Sequence, residues 1–218
     1  MIRKETTIEG KDGIKFQLHS FGSRESVPNR IFCVSDCITS SSSCMEVFHK
    51  SLSADDELYY FENRGMNPRL QDVSVELMID DLEEVLMHIR VTHLDTPITI
   101  IGRGLGGLIA LLYIEARKSK EVDLIFLDNP WLKTDVFVNK KTGFFKRNLT
   151  ELSTYSFEKS ASVNLNLSEH FAGEIQKKIV SISNKLSAIK TPVYSATTEN
   201  ALSKEATNNS DNSVLTTI

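Results

Sequence analysis

The sequence predicts one α/β domain, a three-layer sandwich in which helices cover both faces of a mostly parallel sheet. Apolar runs of strand length alternate with segments of helical periodicity as far as about residue 130, and such alternation is typical of right-handed βαβ crossovers. A chain of 218 residues is long enough for one core and too short for two ordinary domains and a linker. With 40% hydrophobic and 25% charged residues, the composition is that of a globular protein.

The strands are predicted from alternation or from short apolar runs. The stretch "IKFQLHSF", at 14–21, alternates apolar and polar residues after the turn signal Lys11-Asp12-Gly13, as expected of a strand with one solvated face. The stretch "RIFCVS", at 30–35, is a short apolar run of the kind found in buried parallel strands. We predict the remaining strands at 57–62, 97–102, 122–128 and 191–196.

Four helices are predicted from the spacing of apolar residues. In 75–90 the apolar residues fall on one stripe and the carboxylates fall elsewhere, which indicates an amphipathic helix. In 168–187 a second stripe recurs, with Ser168 as a plausible N-cap. The other two helices are predicted at 44–53 and 105–117.

The domain is predicted to span residues 1–196 and to contain a small insertion. The alternation of strands and helices breaks after Pro130-Trp131, so we place a cap or insertion over about 133–187, with the helical stripe of 168–187 at its end. Residues 197–218 are rich in Ser, Thr and Asn and have only scattered apolar residues. We therefore predict a flexible tail there.

Composition argues against several classes of function. The formal net charge is -4 and the pI is about 5.8, so the chain has no basic surplus for nucleic acid. The N-terminus lacks the apolar stretch of a signal peptide, and the longest apolar run, 97–114, is interrupted by Arg103 and glycines, so we expect no membrane span. Three cysteines without paired metal spacing favour a reduced, cytoplasmic chain. No metal or cofactor is predicted.

The stretch "GRGLGG", at 102–107, is the strongest candidate for a functional site. A strand that enters a glycine turn and leaves as a helix directs backbone N–H groups at whatever lies above the turn. Gly102, Gly104 and Gly107 fit the dinucleotide fingerprint G-x-G-x-x-G, and Asp128 ends the next predicted strand, where an acidic ribose ligand would stand. A dinucleotide-binding protein is therefore one hypothesis.

The same turn also fits the nucleophile elbow G-x-S-x-G, with Gly104 in the place of the serine. Three predicted strands and two predicted helices precede it, as expected of an elbow and not of a dinucleotide fingerprint, which normally follows the first strand of its domain. The neighbouring motifs occur in the order found in one group of enzymes. These motifs are "KDGIKF" at 11–16, "FENRGMN" at 61–67, "DDLEEVLMHI" at 80–89, "PITIIGRGLGGLIALLYIEAR" at 97–117, "LIFLDNPWL" at 124–132 and "AIKTPVYSATTEN" at 188–200.

On these motifs the chain resembles the serine aminopeptidase, monoglyceride lipase and lysophospholipase group of α/β-hydrolases, over roughly residues 5–135 and 185–200. The resemblance implies an α/β-hydrolase-like fold, shortened at its C-terminus, and a catalytic triad. The triad is incomplete here, because Gly104 replaces the nucleophile and no histidine follows His170. Glycine at this corner also removes the strain that an elbow imposes on other residues.

The resemblance also assigns the remaining positions of the site. The family's His-Gly falls at Ser35-Asp36, so the oxyanion donors would be the N–H groups of Cys37 and Leu105, and Arg103 stands at the mouth of the expected pocket. Glu199 is the possible acid. We therefore expect a pseudo-hydrolase that binds an apolar small molecule or a protein partner. The alternatives are the dinucleotide-binding protein and a residual ester or lipid hydrolase.

Overall fold

Seven strands form one sheet in the computed structural model, which describes residues 2–22, 27–36, 52–61, 63–64, 73–118, 121–128, 130 and 169–196. The order across the sheet is β1-β2-β4-β3-β5-β6-β7. The strands are β1 (Ile2–Glu9), β2 (Lys15–Gly22), β3 (Arg30–Asp36), β4 (Asp56–Phe61), β5 (Ile98–Arg103), β6 (Leu124–Asp128) and β7 (Val193–Ala196).

The sheet is mostly parallel, which confirms the predicted α/β fold class. Strand β1 pairs with β2, and β2 with β4, in the antiparallel sense; all other neighbours are parallel. The predicted strands are found within about two residues of their observed ends. Strand β1 was not predicted, because its sequence "IRKETTIE" is too polar to show an apolar pattern. Charged side chains are nevertheless typical of an edge strand, where they discourage pairing with other chains.

Helix α1 (Val75–Thr92) begins where its sequence supplies a cap. The Oγ of Ser74 accepts a hydrogen bond from the N–H of Leu77, at 3.2 Å, and both carboxylate oxygens of Glu174 lie 3.2 Å from the N–H nitrogen of Val75. These acceptors satisfy N–H groups that the helix cannot bond internally. The predicted apolar stripe faces the core, with its residues fully buried: Met78, Leu82, Val85, Leu86 and Ile89.

Helix α2 (Leu105–Arg117) follows β5 directly, and its first ten residues are all buried. Helix α3 (Glu169–Ser183) lies inside the range predicted for the insertion, yet Ile175, Ile179 and Ile182 pack into the same core as α1 and α2. The C-terminal part of the predicted insertion therefore belongs to the main helical layer. A single 3-10 turn, Leu186–Ala188, connects α3 to β7.

The three described helices share one face of the sheet with the larger apolar core. The opposite face carries a second cluster, Val34, Leu58, Tyr60 and Ile101, as expected of the central layer of a three-layer fold. Of the predicted helix at 44–53 the structure describes only Leu52 and Ser53, which are not helical. The rest of that helix, residues 133–168 of the predicted insertion and the tail at 197–218 lie outside the described residues. No helix in the described ranges is long and apolar enough to cross a membrane.

Candidate functional site

The corner between β5 and α2 has the backbone geometry of an elbow. Gly104 adopts φ 53° and ψ -120° and is the N-cap of α2. Its N–H donates to the carbonyl oxygen of Asp128 at 3.2 Å, and its own carbonyl accepts from the N–H of Leu108 at 3.4 Å. A residue with a side chain would be strained at this φ by roughly 1 to 3 kcal/mol. The corner therefore keeps the conformation of an elbow but has no side chain.

Two flanking glycines let the helix lie directly on the strand. A Cβ at Gly102 would stand 2.6 Å from the Cα of Gly107. A Cβ at Gly107 would stand 3.1 Å from the carbonyl oxygen of Gly102 and 3.0 Å from the Cβ of Pro130. A side chain at Gly102 would collide with the backbone of Gly107, and one at Gly107 would crowd the backbone of Gly102 and the side chain of Pro130. Close helix–strand packing explains Gly102 and Gly107, and it is also the role of the third glycine in a dinucleotide fingerprint.

The place of the corner in the sheet distinguishes the two hypotheses better than the glycines do. Strand β5 is the fifth strand of the chain and lies between β3 and β6, with four strands of the described sheet on one side and two on the other. A dinucleotide fingerprint occupies the first βα turn of its domain. The central, late position of β5 is the one expected of a hydrolase elbow.

Arg103 and Asp128 meet beside the corner. They are paired in register as the last residues of β5 and β6, and the Nε of Arg103 lies 3.2 Å from a carboxylate oxygen of Asp128. Their side chains are 19% and 28% exposed. From the sequence, Arg103 was expected at the mouth of a hydrolase pocket and Asp128 as the ribose ligand of a dinucleotide site. One sequence signal could have predicted their contact. Arg103 directly follows one predicted strand and Asp128 ends the next, and the carboxyl ends of neighbouring parallel strands lie at the same edge of the sheet.

The other predicted site residues are only partly brought together. Leu105 is buried next to the corner, and its N–H lies in the first turn of α2, as the oxyanion assignment requires. Ser35 pairs in register with Gly102; it is fully buried, and its Oγ has no hydrogen-bond partner among the described residues. Cys37 and Glu199 lie outside the described residues. Of the predicted site, the structure therefore brings together the glycines and their neighbours: Gly102, Arg103, Gly104, Leu105, Gly107 and Asp128.

A buried ionic network lies at the same end of the sheet and was not predicted. Arg64 donates to both carboxylate oxygens of Asp81, at 2.7 and 2.6 Å, and also to Asp12 in the β1–β2 turn. The bond from Arg64 lowers the pKa of Asp12. Burial raises the pKa of Asp81, and the bonds from Arg64 oppose that rise. The network fixes the start of the segment after β4 against α1 and the first hairpin.

The described residues offer little alternative chemistry. Burial raises the pKa of the Cys33 thiol to about 12, so this side chain is not a thiolate nucleophile. No cluster of three or more His, Cys, Asp or Glu residues with metal-site geometry occurs in the described ranges. What the elbow presents is a helix N-terminus, an ion pair and a bare α-carbon.

The comparisons with known proteins agree with this geometry. A family model described as serine aminopeptidase, S33, matches residues 38–194. The esterase domain of a Rhodothermus marinus protein superposes with a TM-score of 0.59 at 13% identity, over 90% of this chain and 76% of that one. A Paleococcus ferrophilus monoacylglycerol lipase gives 0.59 at 15%, over 84% and 77%. A Bacillus coagulans carboxyl esterase gives 0.60 at 12%, over 90% and 79%. At these identities the likeness shows the fold alone. No curated protein gives a significant match.

Proposed function

The chain belongs to the serine aminopeptidase S33 family, and from this premise we propose that it is a member without acyl-transfer activity that acts as a binding or interaction protein. One observation carries the proposal: Gly104 occupies the elbow, where the family's chemistry needs a hydroxyl. Acyl transfer through this fold begins with attack by a side-chain oxygen at the corner. The α-carbon of Gly104 provides none.

The loss of rate that follows from a missing nucleophile is too large for the remaining groups to support useful catalysis. Losing the nucleophile of a serine triad lowers kcat by on the order of 10⁶, which is about 8 kcal/mol of barrier. The N–H of Leu105 still supplies one donor for an oxyanion, but a donor alone recovers only a small part of the rate. Hydrolysis at this corner would therefore be far slower than turnover by an enzyme with an intact triad.

The surroundings of the corner favour an apolar ligand or a protein partner over an ionic ligand. Arg103 and Asp128 neutralise each other, so the corner has little net charge from these two groups. Ile101 and Leu105 are buried beside it, and Phe126 is partly buried on the neighbouring strand. We place the protein in the cytoplasm; the free, buried thiol of Cys33 fits a reducing compartment.

Steady-state hydrolysis assays test the proposal. The substrates are p-nitrophenyl acetate, p-nitrophenyl butyrate and aminoacyl p-nitroanilides, and the matched variants are Gly104→Ala and Arg103→Gln. We expect the purified chain and both variants to give the same rate, close to that of buffer. A rate for the unmodified chain on the order of 1 s⁻¹ or above, reduced in either variant, would overturn the proposal.

A dinucleotide-binding protein is the second candidate, because Gly107 packs on β5 as the third glycine of that fingerprint does. It predicts that NAD, NADP or a flavin copurifies with the chain or raises its melting temperature. The variant Asp128→Asn would weaken that binding by removing the ribose ligand. The pseudo-hydrolase proposal predicts no shift with any of the three cofactors.

A further inference from the structure

Three apolar side chains are exposed at the C-terminal end of α1. Met87 and Val91 lie one turn apart on the same face of the helix and are 48% and 78% exposed. Leu94, 72% exposed, follows three residues later, just after the helix ends. We call these three residues the α1 stripe. Because α1 runs back from the elbow end of the sheet, the stripe lies at the opposite end of the domain.

The chain beyond α1 is held in place, so the stripe is preformed. The guanidinium of Arg90 donates to the carbonyl oxygen of Leu94 at 2.9 Å, to that of Thr96 at 2.9 Å and to that of Glu121 at 2.6 Å. The Nε2 of His93 also lies 2.9 Å from the hydroxyl of Tyr59 on β4. Residues ordered in this way lose little conformational entropy when a partner binds.

Within the described ranges, one carboxylate without an ion-pair partner lies at each end of the α1 stripe. Every other acidic residue of α1 has an ion-pair partner: Glu76 and Asp80 with Arg117, Asp81 with Arg64, and Glu83 with Lys11. Glu84, one turn before Met87, has none among the described residues, and neither has the exposed Asp95, directly after Leu94. An apolar surface between two uncompensated negative charges favours a partner with the opposite pattern.

The same pattern disfavours a second copy of this chain. A twofold axis pairs two stripes either parallel or antiparallel, so Glu84 of one copy would approach Glu84 or Asp95 of the other, and like charges would meet in both cases. We propose that the α1 stripe is a docking site for an amphipathic helix of a partner protein that carries Lys or Arg at both ends of its apolar face. Glu84 lies eight positions before the end of α1, about 12 Å along its axis, and Asp95 lies three positions beyond that end, so the two cations should stand near opposite ends of the partner helix's apolar face.

A peptide pair tests this proposal. The first is a fluorescein-labelled amphipathic helix with leucines at positions 4, 8 and 11 and lysines at positions 1 and 12; the second has glutamates in place of those lysines. Fluorescence anisotropy against the full chain should show binding of the lysine peptide at least tenfold tighter than that of the glutamate peptide. Val91→Asp should weaken it at least tenfold. Val180→Asp, at a 54% exposed site on α3, is the matched control and should leave it unchanged.

Several results would overturn the proposal: no binding of the lysine peptide, equal binding of both peptides, or equal binding to the Val91→Asp chain. A concentration-dependent dimer that Val91→Asp dissociates would also overturn it, because a second copy would then occupy the stripe. Circular dichroism checks that both variants fold, as expected for changes at exposed positions. The stripe is remote from the elbow, so the hydrolysis assays above succeed or fail independently of this experiment.

Discussion

Arg103 and Asp128 end two neighbouring parallel strands and pair beside the glycine corner, with 3.2 Å between the Nε of Arg103 and a carboxylate oxygen of Asp128. The carbonyl of Asp128 also accepts the N–H of Gly104 at 3.2 Å. The end of β6 therefore contacts the corner through both its side chain and its backbone. These two contacts hold the glycine turn in position. In an enzyme of this fold, the same turn carries the accessible nucleophile.

The ion pair should contribute modestly to stability. We expect a double-mutant cycle of Arg103→Gln and Asp128→Asn to give a coupling free energy of about 0.2 to 1 kcal/mol, because both side chains are partly solvated. Urea unfolding of the four proteins measures it. A coupling of zero would mean that the two side chains do not interact in solution.

A side chain at position 104 should destabilise the chain, because the backbone there adopts a positive φ. Gly104→Ala is expected to lower the free energy of unfolding by about 1 to 3 kcal/mol, because its φ is 53°. Gly173→Ala is the control: it lies within α3, and a Cβ there meets nothing within 4 Å. That change should stabilise the chain by about 0.5 to 1 kcal/mol. Equal effects of the two changes would contradict the strained corner.

Removing one partner of the Arg64–Asp81 pair should destabilise the chain strongly, whereas replacing both residues with apolar ones should destabilise it little. Arg64→Met leaves the carboxylate of Asp81, only 1% exposed, without its partner, and should destabilise the chain by about 3 to 5 kcal/mol. The double variant Arg64→Met with Asp81→Leu should recover most of that loss. Thermal unfolding compares the three proteins. If the double variant were as unstable as Arg64→Met, the uncompensated charge would not be the cause.

Acid should destabilise the chain through His93. Burial lowers the pKa of His93 below its ordinary 6.5. The unfolded chain therefore takes up a proton at this residue at a higher pH than the folded chain does, and stability falls as the pH drops below about 6.5. His93→Asn should flatten the pH dependence just below 6.5 relative to the unmodified chain, as measured by urea unfolding at a series of pH values. An unchanged slope in His93→Asn would contradict this assignment.

Much of the fold follows from local sequence patterns. Strands β3 and β5 and helix α1 were predicted within two residues of their ends, because each buries an apolar run or stripe. Strand β1 was missed because an edge strand does not need such a pattern. The burial of α3 in the main core depends on tertiary packing, which an apolar stripe alone does not specify.

The glycine corner of the candidate site was predictable from the sequence, but the ion pairs around it were not. The order of motifs predicted that Gly104 stands in an elbow. The Arg103–Asp128 pair depends on the register of β5 against β6, and the bond from Arg64 to Asp81 links residues 17 positions apart. Neither contact can be predicted from the spacing of apolar residues along the sequence.

Covalent labelling tests whether the elbow holds a nucleophile. The purified chain is incubated with a fluorophosphonate probe and analysed by intact-protein mass spectrometry, with a serine hydrolase as the positive control. We expect the mass of the chain to remain unchanged while the control gains one adduct. A stoichiometric adduct on the chain, mapped to a residue beside Gly104, would contradict it.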